Sequence, residues 1–238
     1  VLNEAGIGDG VVNVITNDPK DAGAVVAQLI EHPFVKRVNF TGSTKVGKII
    51  ATLAAQQLKP VLLELGGKAP VIICDDADLD QAVAGVAFGA YFNQGQICMS
   101  TERLIVHEDI AETFLAKLID KIRTIQVGHP DDPATTFGYL ESEHSAKRIK
   151  VLVEDAIAKG ADLPLPLKME GALMSPLIIN GITPEMALYY EESFGPVVTM
   201  QTYQTDAEAL TIANDSEYGL AAAVYSKDVN LSLIHISE

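Results

Sequence analysis

Basic residues are scarce in this chain, with 17 Lys and Arg against 32 Asp and Glu over 238 residues, a formal net charge of −15 at pH 7. No Lys/Arg-rich block interrupts that balance, so a phosphate backbone meets net repulsion and nucleic-acid binding is disfavoured. Cysteine is also rare. Cys74 and Cys98 are the only two, outside any CxxC or Cys/His ligand spacing, which argues against a disulfide framework or a structural zinc site. A reducing compartment, the cytoplasm, fits best. Long apolar runs are missing: stretches such as VAGVAFGAYF fall well short of the roughly 20 residues that span a bilayer, so no membrane partner is expected. No fixed-period repeat or low-complexity tract divides the chain. There is no initiator Met, and VLNEAG reads as the end of a helix already under way. We therefore expect an internal piece of a longer protein, with any targeting peptide outside it.

What is present is an ordinary globular composition, 48% apolar and 21% charged, with enough apolar material for a core. VVNVIT (11–16) has a buried-strand pattern, and Asn17, Asp18 and Pro19 supply a cap and first-turn proline for a helix to about Glu31. VNF (38–40) reads as strand, TKVGKIIATLAAQ (44–56) as helix and VLLEL (61–65) as strand, an alternation that predicts a parallel sheet with crossover helices. Gly66 and Gly67 break the pattern, and a second series starts at VIIC (71–74). Asp78 and Gln81 predict a capping box for the next helix. RLIVH (103–107), a helix over 110–121, a helix from Ser142 to Lys159, PVVTMQTY (196–203), a short helix near 206–214 and LAAAVYS (220–226) continue the alternation. The expected class is α/β, with a domain boundary at 65/66.

Four segments carry candidate chemistry, each with a plain structural alternative. GSTKVG (42–47) follows a strand and opens a helix, a place where backbone N–H groups meet a phosphate or simply turn the chain. It is neither GxGxxG nor a complete Walker A, because Ile49 stands where a Mg²⁺ ligand is needed. LELGGKAP (63–70) sets Glu64 at the carboxyl end of a strand, where ligands bind in open α/β sheets; partial burial there suits a general base, and a rim glutamate is the alternative. FNQGQICMS (92–100) puts Cys98 among amides and small residues, with room for substrate and oxyanion donors, whereas Cys74 within VIIC reads as an inert core thiol. EESFGPVV (191–198) carries two acids and an aromatic before a strand, and solvated acids ahead of a turn would account for it equally.

Together and in this order, FTGSTKVG, LELGGKAP, FNQGQIC and EESFGP resemble the aldehyde dehydrogenase superfamily, as does the 34-residue interval from Glu64 to Cys98. The likeness runs from the first residues to about Asn230. It implies that 1–65 is the C-terminal part of a Rossmann-like NAD(P)-binding domain and that 66–230 is an incomplete α/β catalytic domain, in the aldehyde dehydrogenase fold. LSLIHISE (231–238) departs from the family and reads as a scar of translated adapter sequence. Carried over by motif, Cys98 is similar to the family nucleophile and Glu64 to its general base. Gly42, Ser43 and Gly47 match the turn that faces the cofactor pyrophosphate, and Leu65 the nicotinamide pocket. Glu192 matches the acid on the nicotinamide ribose, and Phe194 the aromatic beside the ring. The implied cofactor is NAD or NADP without a metal, the implied partner a small-molecule aldehyde, and the parent a homo-oligomer. NQGQICMSTERLIV looks most like the branch acting on aromatic aldehydes, such as salicylaldehyde and vanillin.

The resemblance also puts an oxyanion-hole asparagine and an adenosine-ribose lysine upstream of Val1. Losing one oxyanion donor costs roughly 3 kcal/mol, so the isolated chain is expected to be inactive. Two other classes compete. A thiol hydrolase would pair Cys98 with His32, His107, His129 or His144, none of which sits in a recognisable partner motif, and a non-catalytic relative would not need both Cys98 and Glu64.

Overall fold

The computed structural model describes residues 1–229, and the chain divides into two compact units, the first Val1–Leu65 and the second from Gly66 onward. The tail expected at 231–238 lies outside the described residues.

In the first unit Asp18 caps a 3-10 turn, Pro19–Asp21, by accepting the Lys20 N–H at 3.1 Å, and α1 (Ala22–Glu31) follows. β1 (Val38–Thr41), α2 (Thr44–Gln56) and β2 (Val61–Glu64) form a crossover unit whose strands pair in parallel, with Thr41 opposite Glu64. α2 begins where Ser43 leaves extended backbone and its hydroxyl accepts the Val46 N–H. Ile30, Ile50 and Ala54 are fully buried between the helices and the sheet. One expectation fails here. Residues 11–16 form no strand, and Val14 and Ile15 are 86% and 64% exposed. A strand needs a ladder and an apolar surface to lie on, and among the described residues β1 and β2 pair only with each other.

The second unit runs β3 (Ala69–Ile73), α3 (Leu79–Tyr91), β4 (Thr101–His107), α4 (Glu108–Arg123), α5 (Glu143–Ala158), β5 (Met169–Glu170), β6 (Leu173–Met174), β7 (Leu177–Asn180), α6 (Ala187–Tyr190), β8 (Val197–Tyr203), α7 (Asp206–Asn214) and β9 (Ala223–Tyr225). Five strands build one parallel sheet in the order β7-β8-β4-β3-β9, while β5 and β6 form a small antiparallel pair. Strand alternation divides the core between two layers. Val71, Ile73, Leu104 and Val106 pack with Val86 of α3 and with Phe114 and Leu118 of α4. Ile72, Cys74 and Ile105 pack with Tyr203 and with Ala209 of α7. Cys74 is thus a core thiol, and burial pushes its pKa up. Beneath α5, Ile149 and Val153 meet Leu177, Ile179 and Val197. Among the described residues no helix is long and apolar enough to cross a membrane.

Candidate active site

In the first unit the expected residues collect at the carboxyl ends of β1 and β2. The Gly42 N–H donates to the Glu64 carbonyl at 3.0 Å, tying the turn after β1 to the end of β2. A Cβ at Gly42 would come within 2.5 Å of the Phe40 ring, so a larger residue there would have to displace that ring. Gly47 is buried under Leu65, whose methyl lies 2.5 Å from where a Cβ would stand. The first N–H groups of α2 have no acceptor within the helix, and with Ser43 as cap they fit a pyrophosphate at a helix N-terminus. Glu64 departs from expectation. It is exposed rather than partly buried, because β2 alternates and its second and fourth residues, Leu62 and Glu64, share the uncovered face.

In the second unit the motifs gather at the opposite edge. Gly66 and Gly67 precede β3, Cys98 precedes β4 and 191–196 precedes β8, so all three lie at the amino ends of parallel strands. α3 ends at Tyr91, and Asn93, Gln94 and Gly95 all take positive φ, reversing the chain toward the thiol. Gly95 is required there. Its φ is +70°, and a Cβ would collide with the Gly195 carbonyl oxygen. Gln96 fixes the loop by accepting the Glu141 N–H at 2.7 Å. Cys98, partly exposed, is the second residue of a turn closed by the Ser100 N–H on the Ile97 carbonyl at 2.9 Å. Among the described residues no acceptor pairs with the Cys98 N–H, and the buried Ser100 hydroxyl has no hydrogen-bond partner.

Gly67 joins these pieces. Its N–H donates to Glu192 Oε1 at 2.9 Å, and a Cβ there would collide with the Cys98 carbonyl oxygen. Burial pushes the Glu192 carboxyl up, and the Gly67 N–H partly offsets that by favouring the anion. Phe194 sits in the left-handed region, φ +44°, and the residue is 41% exposed. Glu64 belongs to the first unit and Cys98 to the second.

Four charged residues at this edge escaped the sequence reading. Lys68 and Glu102 form an ion pair at 2.7 Å, with side chains 1% and 3% exposed. Arg103, also buried, donates to the carbonyls of Lys68, Ile212, Ala213 and Asp215, so its cation closes the C-terminal end of α7. Arg148 of α5 donates to the carbonyls of Glu192 and Ser193. A usable signal existed: Glu102 and Arg103 interrupt an otherwise apolar strand, and charges so placed must find partners. The contacts of His32, His107 and His129 go to groups other than Cys98. A cavity of about 600 Å³ lined by Ile122, Arg123, Leu165, Lys168, Met169 and Leu173 does not include the thiol.

The model of the aldehyde dehydrogenase family matches residues 1–236. Vanillin dehydrogenase of Pseudomonas sp. (strain HR199 / DSM 7063) is 55% identical over 233 residues, 98% of this chain and 48% of the relative. The crystal structure of a salicylaldehyde dehydrogenase from Pseudomonas putida G7 complexed with salicylaldehyde is 44% identical, with a TM-score of 0.92 over 98% of this chain and 48% of that one. That of an NAD-dependent aldehyde dehydrogenase from Sinorhizobium meliloti is 42% identical, with a TM-score of 0.91 over 98% and 47%. The chain spans about half the length of the curated relatives it matches. With the motifs, the doubly layered parallel sheet and these likenesses in agreement, the chain belongs to the aldehyde dehydrogenase family.

Proposed function

We propose that the protein carrying this chain oxidises an aldehyde to a carboxylic acid with NAD⁺ or NADP⁺, that its substrates are aromatic aldehydes, and that Cys98 is the nucleophile and Glu64 the general base. One observation carries the reading: a partly exposed thiol in a tight turn, its own N–H uncommitted, beside a glycine step that also holds the Glu192 carboxylate. The aromatic class rests on the vanillin and salicylaldehyde dehydrogenases among the relatives.

In this reading the Cys98 thiolate adds to the aldehyde carbon, and the oxyanion of the resulting thiohemiacetal is met by backbone N–H groups of the turn. Gly42, Ser43, Gly47 and Leu65, with Glu192 and Phe194, would hold the dinucleotide, which when bound supplies the hydride acceptor. Loss of hydride leaves an acyl group on Cys98 as a thioester. Glu64 then takes a proton from water, the hydroxide equivalent displaces the thiolate, and the acid leaves. An exposed Glu64 is accessible to that water. We also read the whole protein as cytoplasmic and homo-oligomeric, from its scarce cysteine and the family resemblance.

The test is the complete reading frame assayed with benzaldehyde-type and aliphatic aldehydes and with both cofactors. Aromatic turnover is expected, and Cys98→Ala abolishes it. Glu64→Gln lowers steady-state turnover about 10²–10⁴-fold and leaves a first-turnover burst of reduced cofactor, because it acts after hydride loss. Turnover surviving in Cys98→Ala removes the nucleophile assignment, and a clear aliphatic preference removes the aromatic one.

A further inference from the structure

A buried carboxylate that the proposed chemistry leaves unused stands four residues past the thiol. Glu102 on β4 pairs with Lys68, both side chains almost wholly removed from water. Such a pair gains little over apolar packing of the same volume, so stability alone does not account for it. The remaining lone pairs of Glu102 face a single turn. Its oxygens accept the Ser193 N–H at 3.0 and 2.9 Å and the Phe194 N–H at 3.0 Å. Successive N–H groups converging on an anion where one residue is left-handed form a backbone nest. Phenylalanine has no preference for that conformation and stays in it only where its surroundings hold it. Across the turn, Arg148 takes the carbonyls of Glu192 and Ser193. The turn's N–H groups thus meet an anion and its carbonyls meet a cation.

The partners of Glu102 lead back to the thiol. Lys68 follows Gly67, which holds the Glu192 carboxylate and packs against the Cys98 carbonyl, and Arg103 Nε donates to the Lys68 carbonyl at 3.2 Å. We propose that Glu102, seated between Lys68 and the nest of Ser193 and Phe194, is a positioning residue that fixes Glu192 and Phe194 with respect to Cys98. This rests on the reading of Glu192 and Phe194 as cofactor contacts, and it makes Glu102 a determinant of cofactor affinity that touches no cofactor.

Glu102→Gln alone would strand a buried ammonium, so the informative variant is Lys68→Met/Glu102→Gln, which removes both charges and keeps the volume. In the complete protein its KM for NAD⁺ rises about tenfold or more while kcat falls by less than about threefold, the pattern of lost binding rather than lost chemistry. Alkylation of Cys98 by iodoacetamide stays within about twofold of the parent, and amide exchange over 191–196 quickens about tenfold while 103–106 stays protected. Glu102→Asp, which keeps the charge beside Lys68 but draws it back by one carbon, shows the same split at smaller size and serves if the double variant does not fold. A purely structural role would loosen β4 as well and leave the KM of the folded fraction unmoved. Unchanged exchange over 191–196 in either folded variant overturns the proposal, and so does faster exchange with an unmoved KM. If the parent fails to reduce NAD⁺ when an aldehyde is supplied, the functional reading fails instead, and the exchange measurement still decides whether Glu102 holds the turn.

Discussion

Glu192 is under two opposed demands. Its proposed role needs a carboxylate beside Gly67, yet burial raises that carboxyl above the ordinary glutamate value of 4.5. Between the unfolded and the raised folded value the native chain binds more proton than the unfolded chain, so stability falls as pH rises through that window and is flat above it. Glu192→Gln removes the titration. The variant is expected to melt at a higher temperature than the parent at neutral pH, with the gap closing below pH 4.5, where the parent is protonated in both states. Under the proposed function it also raises the KM for NAD⁺. Paired thermal melts across that range decide the point, and a gap that does not change with pH would assign the slope to another group.

Among the elements, the helices were the more legible. α2 and α7 occupy the residues expected from sequence, and Ser43 and Thr205, which that expectation did not name as caps, supply side-chain acceptors at their starts, for the N–H groups of Val46 and Glu208. Ser142 does the same for α5, accepting the Ser145 N–H at 3.2 Å. Ser142→Ala should cost about 1 kcal/mol, read as a lower urea midpoint with an unchanged slope. Asp78 caps α3 as expected, but the Gln81 amide donates to the Asp78 carboxylate at 3.1 Å, where a full capping box would have the Gln81 side chain reach back to the Asp78 N–H. Strands were harder. VVNVIT has the apolar run of a strand but no ladder, whereas LIIN makes β7, only four residues between Pro176 and Gly181 and too short for periodicity to declare. At the site, the expectations for Cys98 and Glu64 came from motif and interval, which travel with the chain. Glu102 and Lys68 were not legible, since a pair 34 residues apart that meets only through strand register leaves no local pattern.

The chain as a whole divides its charge unevenly. Residues 1–65 carry six acidic and six basic side chains, so the whole net charge of −15 lies in the second unit. A neutral first unit, with Lys45 and Lys48 in the helix that follows the glycine turn, suits an anionic dinucleotide better than the second could. The same division predicts how the 238-residue chain comes apart. The first unit has a two-stranded sheet and a fully buried apolar cluster of just Ile30, Ile50 and Ala54, an arrangement of marginal stability, so its amides should exchange at the lowest free energy. The second has a five-stranded sheet with apolar layers on both faces, but it works against its own charge. Raising ionic strength from about 0.01 M to about 0.15 M shortens the screening length from about 30 Å to about 8 Å and relieves that repulsion. Segment-resolved hydrogen exchange at the two salt concentrations should show protection rising in β3, β4 and β8 and unchanged in β1 and β2. Equal gains in both units would mean that salt acts through general burial rather than charge. A single transition that takes both units together would mean that the second unit lends the first its stability.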